Sequence, residues 1–76
     1  MQTIDISESF TFFGLEPGVK AKTIKEAYRR YVKEFHPDLF PKGSDEQQMA
    51  AEKLITANMH FNRLNQYFEF IKADKS

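Results

Sequence analysis

Apolar residues recur at three-and-four spacing in two long stretches of this chain. Ile24, Ala27, Tyr28, Tyr31 and Phe35 share one face of a segment running over about 21–35, and polar residues fill the opposite face. Leu54, Ala57, Phe61, Leu64, Phe68 and Ile71 continue the same period over about 44–71, with no proline or glycine to interrupt it. Both stretches predict amphipathic helices. A shorter apolar group, Phe10, Phe12 and Phe13, follows Ser7-Glu8-Ser9, whose oxygens suit a helix N-terminus, and precedes Gly14, which can take the left-handed conformation that ends a helix. A first helix over about 7–13 is expected.

Glu16-Pro17-Gly18 and Pro41-Lys42-Gly43 read as turns. Thr23-Ile24-Lys25-Glu26 and Ser44-Asp45-Glu46-Gln47 each fit a capping box, although nothing at Ala21 or Lys22 resists an earlier start of the second helix. Pro37 ends that helix, because proline disfavours helical geometry in His36 and donates no backbone hydrogen bond. The loop 36–43 is short, so the second and third helices should form an antiparallel hairpin. The expected fold is all-α: this hairpin, with the first helix packed at its open end. Its core should hold Phe10, Phe13, Ile24, Ala27, Tyr31, Phe35, Leu54, Ala57, Phe61, Leu64 and Phe68.

Seventy-six residues make one small domain, which buries only about 60% of the surface exposed in its unfolded chain. With no cysteine, neither a disulfide nor a thiolate metal site reinforces it. Met1 to Asp5 lack a basic start and an apolar run, so neither a signal peptide nor a membrane span is expected, and the cytoplasm is the default location. The zero net charge conceals an asymmetry. Residues 20–34 hold six basic and two acidic side chains, whereas residues 1–19 hold three acidic ones and no basic one. At about 100° per residue, Lys22, Lys25, Arg29 and Lys33 fall in one narrow sector opposite the apolar face. A helix that is merely solvated usually mixes its charges, so a one-sided stripe points to an acidic partner surface.

His36-Pro37-Asp38 stands at the tip of the expected hairpin. Taken alone it is an ordinary turn, with His36 able to satisfy the last helical carbonyls. No nucleophile accompanies His36 and Asp38, and His60 has no metal-ligand spacing, so neither catalysis nor metal binding is expected.

In order and spacing, these motifs resemble the J-domain of DnaJ-type co-chaperones. Phe12-Phe13-Gly14-Leu15 is similar to that family's first-helix ending, Ile24 to Phe35 to its second helix, and His36-Pro37-Asp38 to its signature tripeptide. The segment Phe40 to Ala51 resembles the corresponding loop of the iron–sulfur co-chaperone HscB. Leu39 and Glu34 stand where basic residues are common, and Leu54 where Phe is frequent. The family's fourth helix and client-binding regions have no counterpart in this sequence, so the sequence, taken as a complete chain, reads as a J-domain standing alone.

The resemblance implies a monomeric binding module for a DnaK-type chaperone of the heat-shock protein 70 class, accelerating that partner's ATP hydrolysis without being an enzyme itself. His36, Pro37 and Asp38 would engage the ATPase domain, and Lys25, Tyr28, Arg29 and Arg30 would dock on acidic surface, with Lys22 and Lys33 extending the stripe. No cofactor is implied. A J-like adaptor subunit is the alternative, motivated by off-stripe Ile55, Met59 and Phe70. Nucleic-acid binding is disfavoured by the zero net charge and by Tyr28 and Tyr31 lying mainly on the core face.

Overall fold

The computed structural model describes residues 6–74, and among these it contains three α-helices and no strand. Helix α1 spans Ile6–Phe12, α2 Ala21–Phe35 and α3 Asp45–Asp74, with a single 3₁₀ turn at Pro37–Leu39. At 1.5 Å per residue the 30-residue α3 is about 45 Å long, which accounts for the molecule's longest dimension of 48 Å. The other two helices pack along this rod.

Side-chain pairs fix the direction of the hairpin. Tyr28 of α2 stacks on Phe61 of α3 at 4.2 Å between ring centroids, and one end further on Phe35 lies under the Lys53 ammonium at 4.4 Å. Advancing along α2 therefore means retreating along α3, which is an antiparallel arrangement. Ala27 and Ala57 are both buried, and their small size lets the two backbones approach.

Turns stop the helices where their chemistry requires it. Gly14 adopts φ 71° just after α1, and the Leu15 N–H donates to the Phe10 carbonyl, closing the helix end. The start of α2 differs from the expected capping box. Lys20 occupies the N-cap with no side-chain bond, and its carbonyl accepts the first amides, from Thr23 at 3.0 Å and Ile24 at 3.3 Å. Thr23 thus lies inside the first turn. Val19 packs against the core cluster, and this anchor brings the chain into helical geometry before Thr23 is reached.

The centre of the core is Phe10, Ile24 and Leu64, one residue from each helix, all at most 1% exposed. Ala27, Ala50 and Ala57 are buried as well, whereas Phe13, Tyr31, Phe35, Leu54, Phe61 and Phe68 are only half-buried, a correction to the expected core. So small a domain has too little interior to enclose every large ring. Phe10 is the exception, with Tyr67 and Phe68 placed edge-on against it, each at 6.4 Å. The end of α3 beyond Leu64 does cover the open end of the hairpin.

Candidate functional site at the hairpin tip

Lys22, Lys25, Arg29, Arg30 and Lys33 are all exposed on α2. The sequence pattern explains this: Ile24 and Ala27 are buried, and the basic positions lie away from them on the turn. Tyr28 is different. Its ring is stacked on Phe61 and its hydroxyl donates to Asn58 Oδ1, so this half-buried side chain also holds α2 on α3. Burial, reinforced by Glu34, pushes the Tyr31 phenol above its ordinary pKa, so it remains a neutral packing group.

His36 leaves the helix with extended geometry, φ −65° and ψ 130°, as a residue before proline should. The following 3₁₀ turn is closed by the Leu39 N–H donating to the His36 carbonyl at 3.0 Å and the Phe40 N–H to the Pro37 carbonyl at 3.2 Å. The Asp38 N–H donates to His36 Nδ1 at 3.1 Å. That bond requires an unprotonated Nδ1, so the neutral ring carries its proton on Nε2 and can donate it to a partner. Asp38 Oδ2 lies 3.7 Å from the same Nδ1, too far for a hydrogen bond, and its side chain is 87% exposed. A ring with one committed nitrogen and an exposed carboxylate thus stand side by side on a braced turn.

Gln47 provides the brace. Its Nε2 donates to the Pro37 carbonyl at 3.3 Å and its Oε1 accepts from the Gly43 N–H at 2.8 Å, so one side chain ties both ends of the loop to the first turn of α3. The Gln47 N–H in turn donates to Ser44 Oγ at 3.1 Å. Half of the expected capping box forms; the other half is redirected, because Gln47 reaches into the loop instead of back to Ser44. Gly43 takes φ 79°, the left-handed conformation that glycine adopts without strain. Sequence reasoning identified Gln47 only as a cap. Its position ten residues after Pro37, one helical turn into α3, was the available signal.

The site brings together His36, Pro37 and Asp38, with the basic residues spread along the adjoining helix. Among the described residues no cluster of three or more His, Cys, Asp or Glu side chains could hold a metal ion. Nor is any helix there long and apolar enough to cross a membrane.

No protein-family model matches the chain, and no solved structure matches it. Two curated proteins match in part. "DnaJ protein ERDJ2A" of Arabidopsis thaliana is 47% identical over 36 residues, covering 47% of this chain and 5% of its own length. "Adaptation to cold protein J" of Shewanella oneidensis is 39% identical over 46 residues, covering 60% of this chain and 49% of its own. The matched stretch is at most about half of either relative. An all-helical chain with an exposed His-Pro-Asp turn is, over part of its length, similar to a DnaJ protein.

Proposed function

We propose that this chain is a J-domain co-chaperone that binds a DnaK-type chaperone of the heat-shock protein 70 class and stimulates its ATP hydrolysis. The observation that carries the reading is the His36-Pro37-Asp38 turn, exposed at the hairpin tip, braced by Gln47, and continuous with a basic helix. The partial likeness to a DnaJ protein supports it. In this reading the chain acts by binding and performs no chemistry. The basic side chains steer encounter with an acidic surface, and the His36 ring and Asp38 carboxylate make the specific contacts. Of the segment Phe40 to Ala51 that resembles the HscB loop, only Phe40–Ser44 is loop, and the rest belongs to α3.

The test is an ATPase assay with a DnaK-type chaperone and saturating chain. Stimulation by the wild type and none by His36→Gln is expected; no stimulation by the wild type refutes the proposal. Steering predicts that the wild-type complex weakens as salt rises and that Arg29→Glu slows association. Equal affinity at low and high salt would remove α2 from the docking face.

A second reading, a J-like adaptor held in a larger assembly, is favoured by Ile55 and Phe70, which are 68% and 72% exposed on α3. Recovery of a stable assembly without a chaperone in a pull-down would favour it.

A further inference from the structure

One polar pair is buried far from the hairpin tip. Ser9 of α1 is 0% exposed and His60 of α3 is 5% exposed, and Ser9 Oγ lies 2.8 Å from His60 Nδ1. The Phe12 ring stacks on the imidazole at 4.5 Å between centroids. These two residues form the polar centre of an otherwise aromatic contact between α1 and α3, and the proposed chaperone site uses neither of them.

A neutral imidazole suits this position, since one ring nitrogen can accept from the Ser9 hydroxyl or donate to it. A protonated ring does not suit it. Its Nδ1 must donate, so the Ser9 hydroxyl has to turn and accept, and a positive charge must be held in an apolar enclosure. The charged groups nearby give little compensation. Glu8 on α1 attracts the imidazolium, but Glu8 is also 3.9 Å from Arg63 on α3, and Arg63 repels it. On α2 the packed titratable side chain is Tyr31, which touches the same Phe12 ring and is neutral. Burial first, and Arg63 second, hold the His60 pKa below its ordinary value, with Glu8 opposing them.

We propose that the Ser9–His60 pair is an acid-sensitive latch: it holds α1 on α3 while His60 is neutral, and protonation of His60 loosens α1 from the hairpin. The sign follows from linkage. A histidine whose folded pKa is lowered binds protons more readily when its surroundings open, so the latch is fully stabilising above the ordinary histidine pKa of about 6.5 and weakens as pH falls through the folded value. Release propagates to the hairpin, because Phe12 and Phe13 of the α1 end rest on Tyr31, and Phe13 also on Tyr28. Loosening of α1 would therefore disturb the mounting of α2 by a route separate from the His36 turn.

Nuclear magnetic resonance on the full chain tests this, since it has only two histidines and His36→Gln assigns their ring signals. Between about pH 7.5 and about pH 5, amide protection of Phe10 to Leu15, corrected for the intrinsic pH dependence of exchange, should fall several-fold. The fall should track the His60 ring signal, with a midpoint below about 6.5. It should persist in His36→Gln and be absent from Ser9→Ala/His60→Leu, which replaces the pair with apolar groups. Constant protection in the wild type, an equal fall in the double variant, or a fall that follows His36 each overturns the proposal. Should the double variant fail to fold, a wild-type His60 midpoint at or above about 6.5 still refutes it.

Discussion

The two ends of the hairpin are built on opposite plans. At the open end, Phe10 is enclosed by Ile24 and Leu64 and edged by Tyr67 and Phe68, so apolar burial does the holding. At the tip, no residue of the 3₁₀ turn is buried, and the shape depends on hydrogen bonds among His36, Asp38, Pro37, Gly43 and Gln47. Burial is strong and indifferent to detail; a hydrogen-bonded turn contributes little net stability but fixes atoms in position. The domain is therefore stabilised at one end and, in the proposed function, recognised at the other, and substitutions should separate the two properties.

The comparison is tested most severely at the open end. A stop after Gln66 removes Tyr67 and Phe68 from Phe10, two aromatic contacts each worth about 2 kcal/mol or more, in a domain whose core rarely supplies beyond about 3–5 kcal/mol. The shortened chain should be largely unfolded by circular dichroism, and a cooperative melt within a few degrees of the full chain would show that the aromatic end is dispensable. Phe10→Ala is the next largest change, costing about 3–5 kcal/mol through a cavity at a site touched by all three helices. Urea unfolding measures it.

Effects at the tip should be smaller on stability and larger on function. Gln47→Ala unties Pro37 from Gly43 and should cost about 1–2 kcal/mol, with reduced stimulation of the chaperone ATPase at saturating chain. If stimulation is unaffected, the brace is not what presents the tripeptide. His36→Gln lies at the end of the series: its melt should stay within about 0.5 kcal/mol of wild type while stimulation disappears. A melting drop like that of Phe10→Ala would erase the distinction between the two ends.

The division also explains what the sequence discloses. Helix α2 is readable because its apolar period, its basic sector and Pro37 all agree, and the all-α hairpin follows from two such periods joined by a short loop. The helix starts at Ala21 as expected, but the Thr23-Glu26 box does not cap it, since that box is a local signal and the anchoring of Val19 is a tertiary one. Ser9 and His60 were equally hidden. His60 lies three residues from Ala57 and four from Leu64, squarely on the apolar stripe, yet only the packed structure shows that Ser9 is its partner. The tripeptide was visible as three residue types, but the choice of His36 nitrogen depends on the Asp38 amide, and the bracing of the turn depends on where the Gln47 side chain reaches.

The uninterrupted length of α3 has a kinetic consequence. Its first half, Asp45 to Ala57, is rich in strong helix formers such as Glu, Gln, Met, Ala, Lys and Leu, while its second half is richer in aromatic and amide side chains. The stretch Asp45 to Ala57 is itself close to the roughly 12–15 residues at which isolated helices of strong formers become marginal rather than absent in water. The front half should thus flicker into helix in the denatured ensemble, and the rear half should wait for Phe10. Folding would nucleate beside the His-Pro-Asp loop and finish at the aromatic end, so that Ala50→Gly slows refolding while Phe68→Ala chiefly hastens unfolding.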